Sequence, residues 1–197
     1  RSFPKNRPKE TYLSLMINPH VRRWLVALAP CFFQSGLVHA QHDSLQTAAY
    51  GDDITVTMDW MAPAPQQIRT RLILYALPNG NTTAQTMGKK MEPGDDWHFD
   101  IQHIRAQTAF LRQTLPNERI LVAYLESRYL SWPRWKSLHG DHAQVIASLV
   151  DSLISVAGGS STMVCLNGHS GGGRFIFSYL DAWQEIPAFV KRIAFLD

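Results

Sequence analysis

The chain has 197 residues, 45% hydrophobic and 11% aromatic, which is enough apolar material for one core and too little for two ordinary domains. Its formal charge of +3 at first suggests a polyanion partner. Six of the 19 basic residues and only one of the 16 acidic ones fall in the first 40 positions, so the remainder carries a net −2 and the case for nucleic acid or anionic membrane binding is lost.

Those first positions read as a leader. Met16 is the first internal start; Arg22 and Arg23 precede an apolar stretch from Trp24 to Val38, and Val38-His39-Ala40 has small residues at the cleavage-reading positions. Residues 1–15 are expected to be an upstream extension, residues 16–40 an export signal, and residues 41–197 the N-terminal part of a single domain. Pro30, Gln34, Ser35 and Gly36 interrupt the apolar stretch, leaving it short of the roughly 20 residues that span a bilayer. A secreted or periplasmic product with no stable membrane span is expected. Cys31 lies in the leader and Cys165 in an apolar run, so Cys165 is expected to be a buried small hydrophobe.

In chain order, Ile54–Trp60 alternates apolar and polar residues, which predicts a strand near a sheet edge with one solvated face. Residues 69–77 end in Leu72-Ile73-Leu74-Tyr75-Ala76-Leu77, a run suited to a strand covered on both faces and stopped by Pro78-Asn79-Gly80-Asn81. Asp100 suits a helix N-cap, with Ile101, Ile104, Thr108, Leu111 and Leu115 at helical spacing. Residues 119–125 predict the next buried strand, followed by a long loop through Trp135. A second helix is expected from Asp141, with Val145, Leu149 and Leu153 on its apolar face, ending at Gly158-Gly159. A third buried strand over 162–167, a sharp turn over 168–173, a helix over 175–180 and a strand beginning at Ile193 complete the pattern. Strands alternating with helices, with apolar inner strands, predict an α/β fold: a mostly parallel sheet flanked by helices.

The chemistry-bearing motif is Gly168-His169-Ser170-Gly171-Gly172, which fits G-x-S-x-G between a buried strand and a helix. Such a turn needs glycine two residues before and two after the serine, because strand and helix backbones must pass closely. Its amides at the helix N-terminus suit a developing oxyanion, and Gly171 is the natural first donor. Two blander readings are a flexible glycine loop and a phosphate-cradling turn. A P-loop would require Lys followed by Ser or Thr, and Arg174-Phe175 stands there instead.

On these residues, and on the order of elements from about Ile54 onward, the chain resembles the α/β-hydrolase superfamily, ending after about the sixth strand. The resemblance implies that Ser170 is a nucleophile and that a second oxyanion donor lies in the loop after the third strand, here Asn79 and Gly80. It also implies an acid and then a histidine later in the chain. Asp197 is the candidate acid. No histidine follows Ser170, and His169 beside it would leave the turn in another direction, so the base is expected beyond the C-terminus. The implied activity is an exported serine hydrolase acting on a small-molecule ester, or on an amide or peptide. The alternative is a non-catalytic binding protein on the same scaffold.

Three clusters remain. Asp95-Asp96-Trp97-His98-Phe99-Asp100 with His103 could suggest a metal site, but without an HExxH or paired spacing it reads as capping and packing, and neither metal nor cofactor is expected. The aromatic and basic segment containing Trp132 and Trp135 follows a buried strand on the ligand-binding side of the sheet. Trp132, Trp135 and His169 are therefore candidate substrate-lining residues. His139 and His142 precede Ser170 and read as surface or capping residues.

Overall fold

A computed structural model describes residues 44–95 and 102–196. The leader expected over 16–40, the cap at Asp100 and the candidate acid Asp197 lie outside them. The described residues form six strands, β1 (Ser44–Tyr50), β2 (Ile54–Trp60), β3 (Arg69–Ala76), β4 (Glu118–Ser127), β5 (Thr162–His169) and β6 (Val190–Leu196), and five helices, α1 (Thr83–Met87), α2 (Ile104–Thr114), α3 (Trp132–Leu138), α4 (His142–Ala157) and α5 (Gly173–Leu180). No helix among the described residues is long and apolar enough to cross a membrane.

The strands make one sheet in the order β1-β2-β4-β3-β5-β6. β3 pairs in parallel with β4 and β5, and β5 with β6, while β1-β2 and β2-β4 are antiparallel. The sheet is thus mostly parallel with flanking helices, as the alternation of elements predicts. β3 is central because Leu72, Leu74, Tyr75 and Ala76 are all buried; a strand covered on both faces has no polar side to offer solvent.

Successive side chains of these strands face opposite layers. On one face Ile73, Tyr75, Leu77, Ile120, Val122, Tyr124 and Cys165 cluster with Ile104, and Leu111 and Leu115 at the far end of α2 pack on them. Burial pushes the Tyr75 hydroxyl up to about 12. The alternate positions Leu72, Leu74, Leu121, Ala123, Val164 and Leu166 are likewise buried, and α4 and α5 both pack against β3 and β5. Along α4 the buried stripe is Ala143, Ile146, Leu149, Val150, Leu153 and Ala157. Val145 is half-buried, so the apolar face is centred one residue later than its Val-Leu-Leu spacing suggests.

β2 lies one strand in from the edge, near it as expected, with β1 pairing along its whole length, but Thr57 and Asp59 on its expected solvated side are buried. Each has a partner instead. Thr47 and Thr57 share a hydroxyl hydrogen bond of 3.0 Å. The Arg112 guanidinium donates to the Asp59 carboxylate and carbonyl and to the Ile120 carbonyl, all at 3.0 Å, which ties α2 to β2 and β4.

Two helices also differ. α2 begins at Ile104, with His103 in the left-handed region (φ 46) at its N-cap. The segment expected as a loop through Trp135 becomes α3: the Ser131 hydroxyl caps it by accepting from the Arg134 N–H, and Pro133 sits in its first turn, where the missing N–H costs nothing.

Candidate functional site at the end of the fifth strand

Three parallel strands end on the same side of the sheet, and their following loops converge there, where an open α/β sheet usually binds its ligand. β5 runs extended through His169 (φ −98, ψ 130), and the next residue, Ser170, has φ 48. Gly172 and Gly173 are already helical, so the chain turns from strand to helix across Ser170 and Gly171. A left-handed backbone costs a side-chain-bearing residue about 1–3 kcal/mol and persists only where the surroundings enforce it. Ser170 itself is exposed.

The enforcement comes from crowding. A Cβ on Gly168 would lie 2.8 Å from the Gly172 carbonyl carbon and the Gly173 nitrogen. One on Gly172 would collide with the Ala76 carbonyl oxygen and come 3.0 Å from that of Leu77. The strand, its turn and the neighbouring end of β3 leave no room for a methyl at either position. Below the turn, Phe175 and Ile176 are buried and anchor α5.

Gly171 is brought against Asn79. A Cβ there would collide with the Asn79 carboxamide, 2.8 Å from its Nδ2. Gly171 is the second residue of the short 3-10 turn that leads into α5, and an amide at that place has no acceptor within its own turn. Two of the three expected oxyanion residues, Gly171 and Asn79, therefore meet beside Ser170. Gly80 does not join them. Its N–H donates to the Leu130 carbonyl at 2.8 Å, and at φ 81 it serves to turn the loop. The Asn81 N–H is also engaged, by the Pro78 carbonyl at 3.4 Å.

Trp132 and Trp135 do not line an open site. They are 2% and 1% exposed, packed edge to face at 5.6 Å, with Trp132 also against Phe175 at 4.9 Å. They are i and i+3 on one helix turn and point into the core. His169 is half-buried and pairs in register with Leu196 of β6. His139 is held in place by its surroundings: it stacks on Trp135 at 4.2 Å, its Nδ1 is 2.7 Å from the Trp135 carbonyl, and its Nε2 is 3.1 Å from Asp53. Among the described residues no group of three potential metal ligands occurs; His98 and Asp100 lie outside them.

Sequence reasoning missed a cleft. An open depression of about 510 Å³ is lined by Pro133, Lys136 and Ser137 of α3, by His139 and His142, and by Arg174 of α5. The signal was present as scattered basic residues, but their convergence depends on α3 being a helix. Lys136 donates to the Asp181 carboxylate at 2.7 Å, and this hydrogen bond holds the Asp181 carboxyl below its ordinary value.

No protein-family model matches the chain, and no curated protein matches its sequence significantly.

Proposed function

We propose that the chain carries the nucleophile and oxyanion-binding portion of a serine hydrolase of the α/β-hydrolase type, acting on carboxylic esters or on amides or peptides. What carries this reading is Ser170: an exposed serine at φ 48 between β5 and α5, held there by glycines that cannot take a side chain. A flexible glycine loop would have no reason to place its strain on the one residue with a hydroxyl.

In this mechanism the Ser170 Oγ attacks the substrate carbonyl carbon as a histidine outside the described residues takes its proton. The carbonyl π electrons move onto oxygen, where the Gly171 N–H and the Asn79 backbone or carboxamide N–H receive the charge. Donors of this kind are each worth about 10²–10³ in rate. Collapse of the tetrahedral species expels the alcohol or amine, protonated by the same histidine, and water then releases the acid from the acyl-enzyme. The leader-like residues 16–40 support an exported location.

The test is labelling of the full-length protein by a fluorophosphonate probe, compared with Ser170→Ala. Labelling that disappears in the variant supports the nucleophile; equal labelling of both proteins, or none of either, ends the reading.

A further inference from the structure

Arg174 lies four residues beyond Ser170, about one turn along from it, near the start of α5. It lines the cleft together with Lys136 of α3 and His142, the first residue of α4. Among the described residues the Arg174 guanidinium has neither a hydrogen bond nor an ion pair; it lies 5.8 Å over the Phe177 ring and, like Lys136 and His142, feels the Asp181 carboxylate electrostatically. Among the described residues the His142 Nδ1, which is shielded from solvent, has no hydrogen-bond partner. Lys136 is bonded to the half-exposed Asp181. The cleft thus gathers Arg174, Lys136 and His142 around one solvent-exposed carboxylate that bonds directly to Lys136, and a guanidinium left without a bonded partner in such a place suits a two-oxygen anion.

We propose that this cleft is an anion subsite, binding a carboxylate or phosphate group of the ligand through Arg174, His142 and Lys136. Its role as a substrate-selecting subsite rests on the serine-hydrolase reading of Ser170, one helical turn away. The preferred substrate is then an ester or amide that carries a negative group a few bonds from the scissile carbonyl. Such a group would displace Asp181 from Lys136 and dock on Arg174, holding the carbonyl over the Ser170 hydroxyl. The binding function itself needs no catalysis.

The experiment measures binding by isothermal titration calorimetry to the full-length Ser170→Ala protein, in which nothing is turned over. Three probes are compared: monomethyl succinate, inorganic phosphate and neutral dimethyl succinate. At least one anion is expected to bind tenfold or more tightly than the neutral diester, and the tighter anion identifies the carboxylate or the phosphate as the group recognised. Adding Arg174→Gln should remove the preference, and Arg174→Lys should retain part of it. Equal binding of all three probes, or a preference that survives Arg174→Gln, overturns the subsite. The two readings fail separately. Charge-selective binding without fluorophosphonate labelling of the native protein leaves the cleft standing and removes the hydrolase; labelling without charge selectivity does the reverse.

Discussion

The backbone of Gly172 passes so near the carbonyl group of Ala76 that a single methyl on the glycine would overlap the oxygen. This contact links the start of α5 to the end of β3, the central strand, and the turn at Ser170 depends on it. Gly172→Ala should therefore cost about 3 kcal/mol or more, the upper part of the range for overpacking a rigid backbone contact. Urea denaturation of the two proteins measures it, and a loss under 0.5 kcal/mol would mean that the helix can back away from the sheet.

Ser170 holds the unfavourable backbone and also the proposed chemistry, so stability and activity should respond in opposite directions. Ser170→Gly removes the left-handed strain and is expected to raise stability by about 0.5–1 kcal/mol, after the added freedom of the unfolded chain is subtracted. Ser170→Ala keeps the Cβ and should change stability by less than about 0.5 kcal/mol. Neither variant should react with a fluorophosphonate. Thermal unfolding beside probe labelling separates the two effects, and a Ser170→Gly protein less stable than Ser170→Ala would contradict the strain.

Asp59 is 3% exposed, and the Arg112 guanidinium reaches its carboxylate at 3.0 Å as well as two carbonyls. Removing the cation strands a buried anion, so Arg112→Ala should destabilise by about 3–5 kcal/mol. The double variant Asp59→Asn with Arg112→Ala should recover part of this, because no unpaired charge then remains. Denaturation midpoints of the three proteins check the order; a double variant less stable than Arg112→Ala alone would show that packing of the side chain, not its charge, is what counts.

At the opposite end of the strands, Arg71 donates to both oxygens of Glu118, at 2.6 and 3.0 Å. The Arg71 hydrogen bonds hold the Glu118 carboxyl below its ordinary value of 4.5. A carboxyl depressed in the native state contributes stability that is present above the unfolded value and is lost as pH falls through the native one. The stability difference between the wild type and Glu118→Gln should accordingly be level above about pH 5.5 and shrink progressively below 4.5. A difference constant from pH 6 to pH 3 would rule out this contribution.

The strand-turn-helix at Ser170 was legible because its geometry admits few residues: two glycines at fixed distances from a serine, after Met163-Val164-Cys165-Leu166, carry the steric requirement in the letters themselves. α4 was legible from Asp141 and Gly158, its two ends, and slipped by one residue only where Val145 and Ile146 compete for the core. β1 was not legible. Its side chains are mostly exposed or half-buried, and it exists because it pairs with β2, a partner that no local pattern records. The burial of Asp59 depends likewise on a distant partner, Arg112 of α2. Trp132 and Trp135 misled because aromatic residues among basic ones read as a binding loop, although Ser131 and Pro133 spelled a helix start. That Asn79 meets Gly171 while Gly80 spends its N–H on Leu130 is a fact of tertiary contact that the sequence of the 78–81 loop does not record.

The edge-to-face stack of Trp132 on Phe175 joins the helix bearing Lys136 to the helix bearing Arg174. The helices that carry those two cations are thus held together by buried aromatic packing. Trimming Phe175 to a smaller residue would alter which anion fits without touching a single charged group, so selectivity in this molecule could drift through its interior while its surface stayed the same.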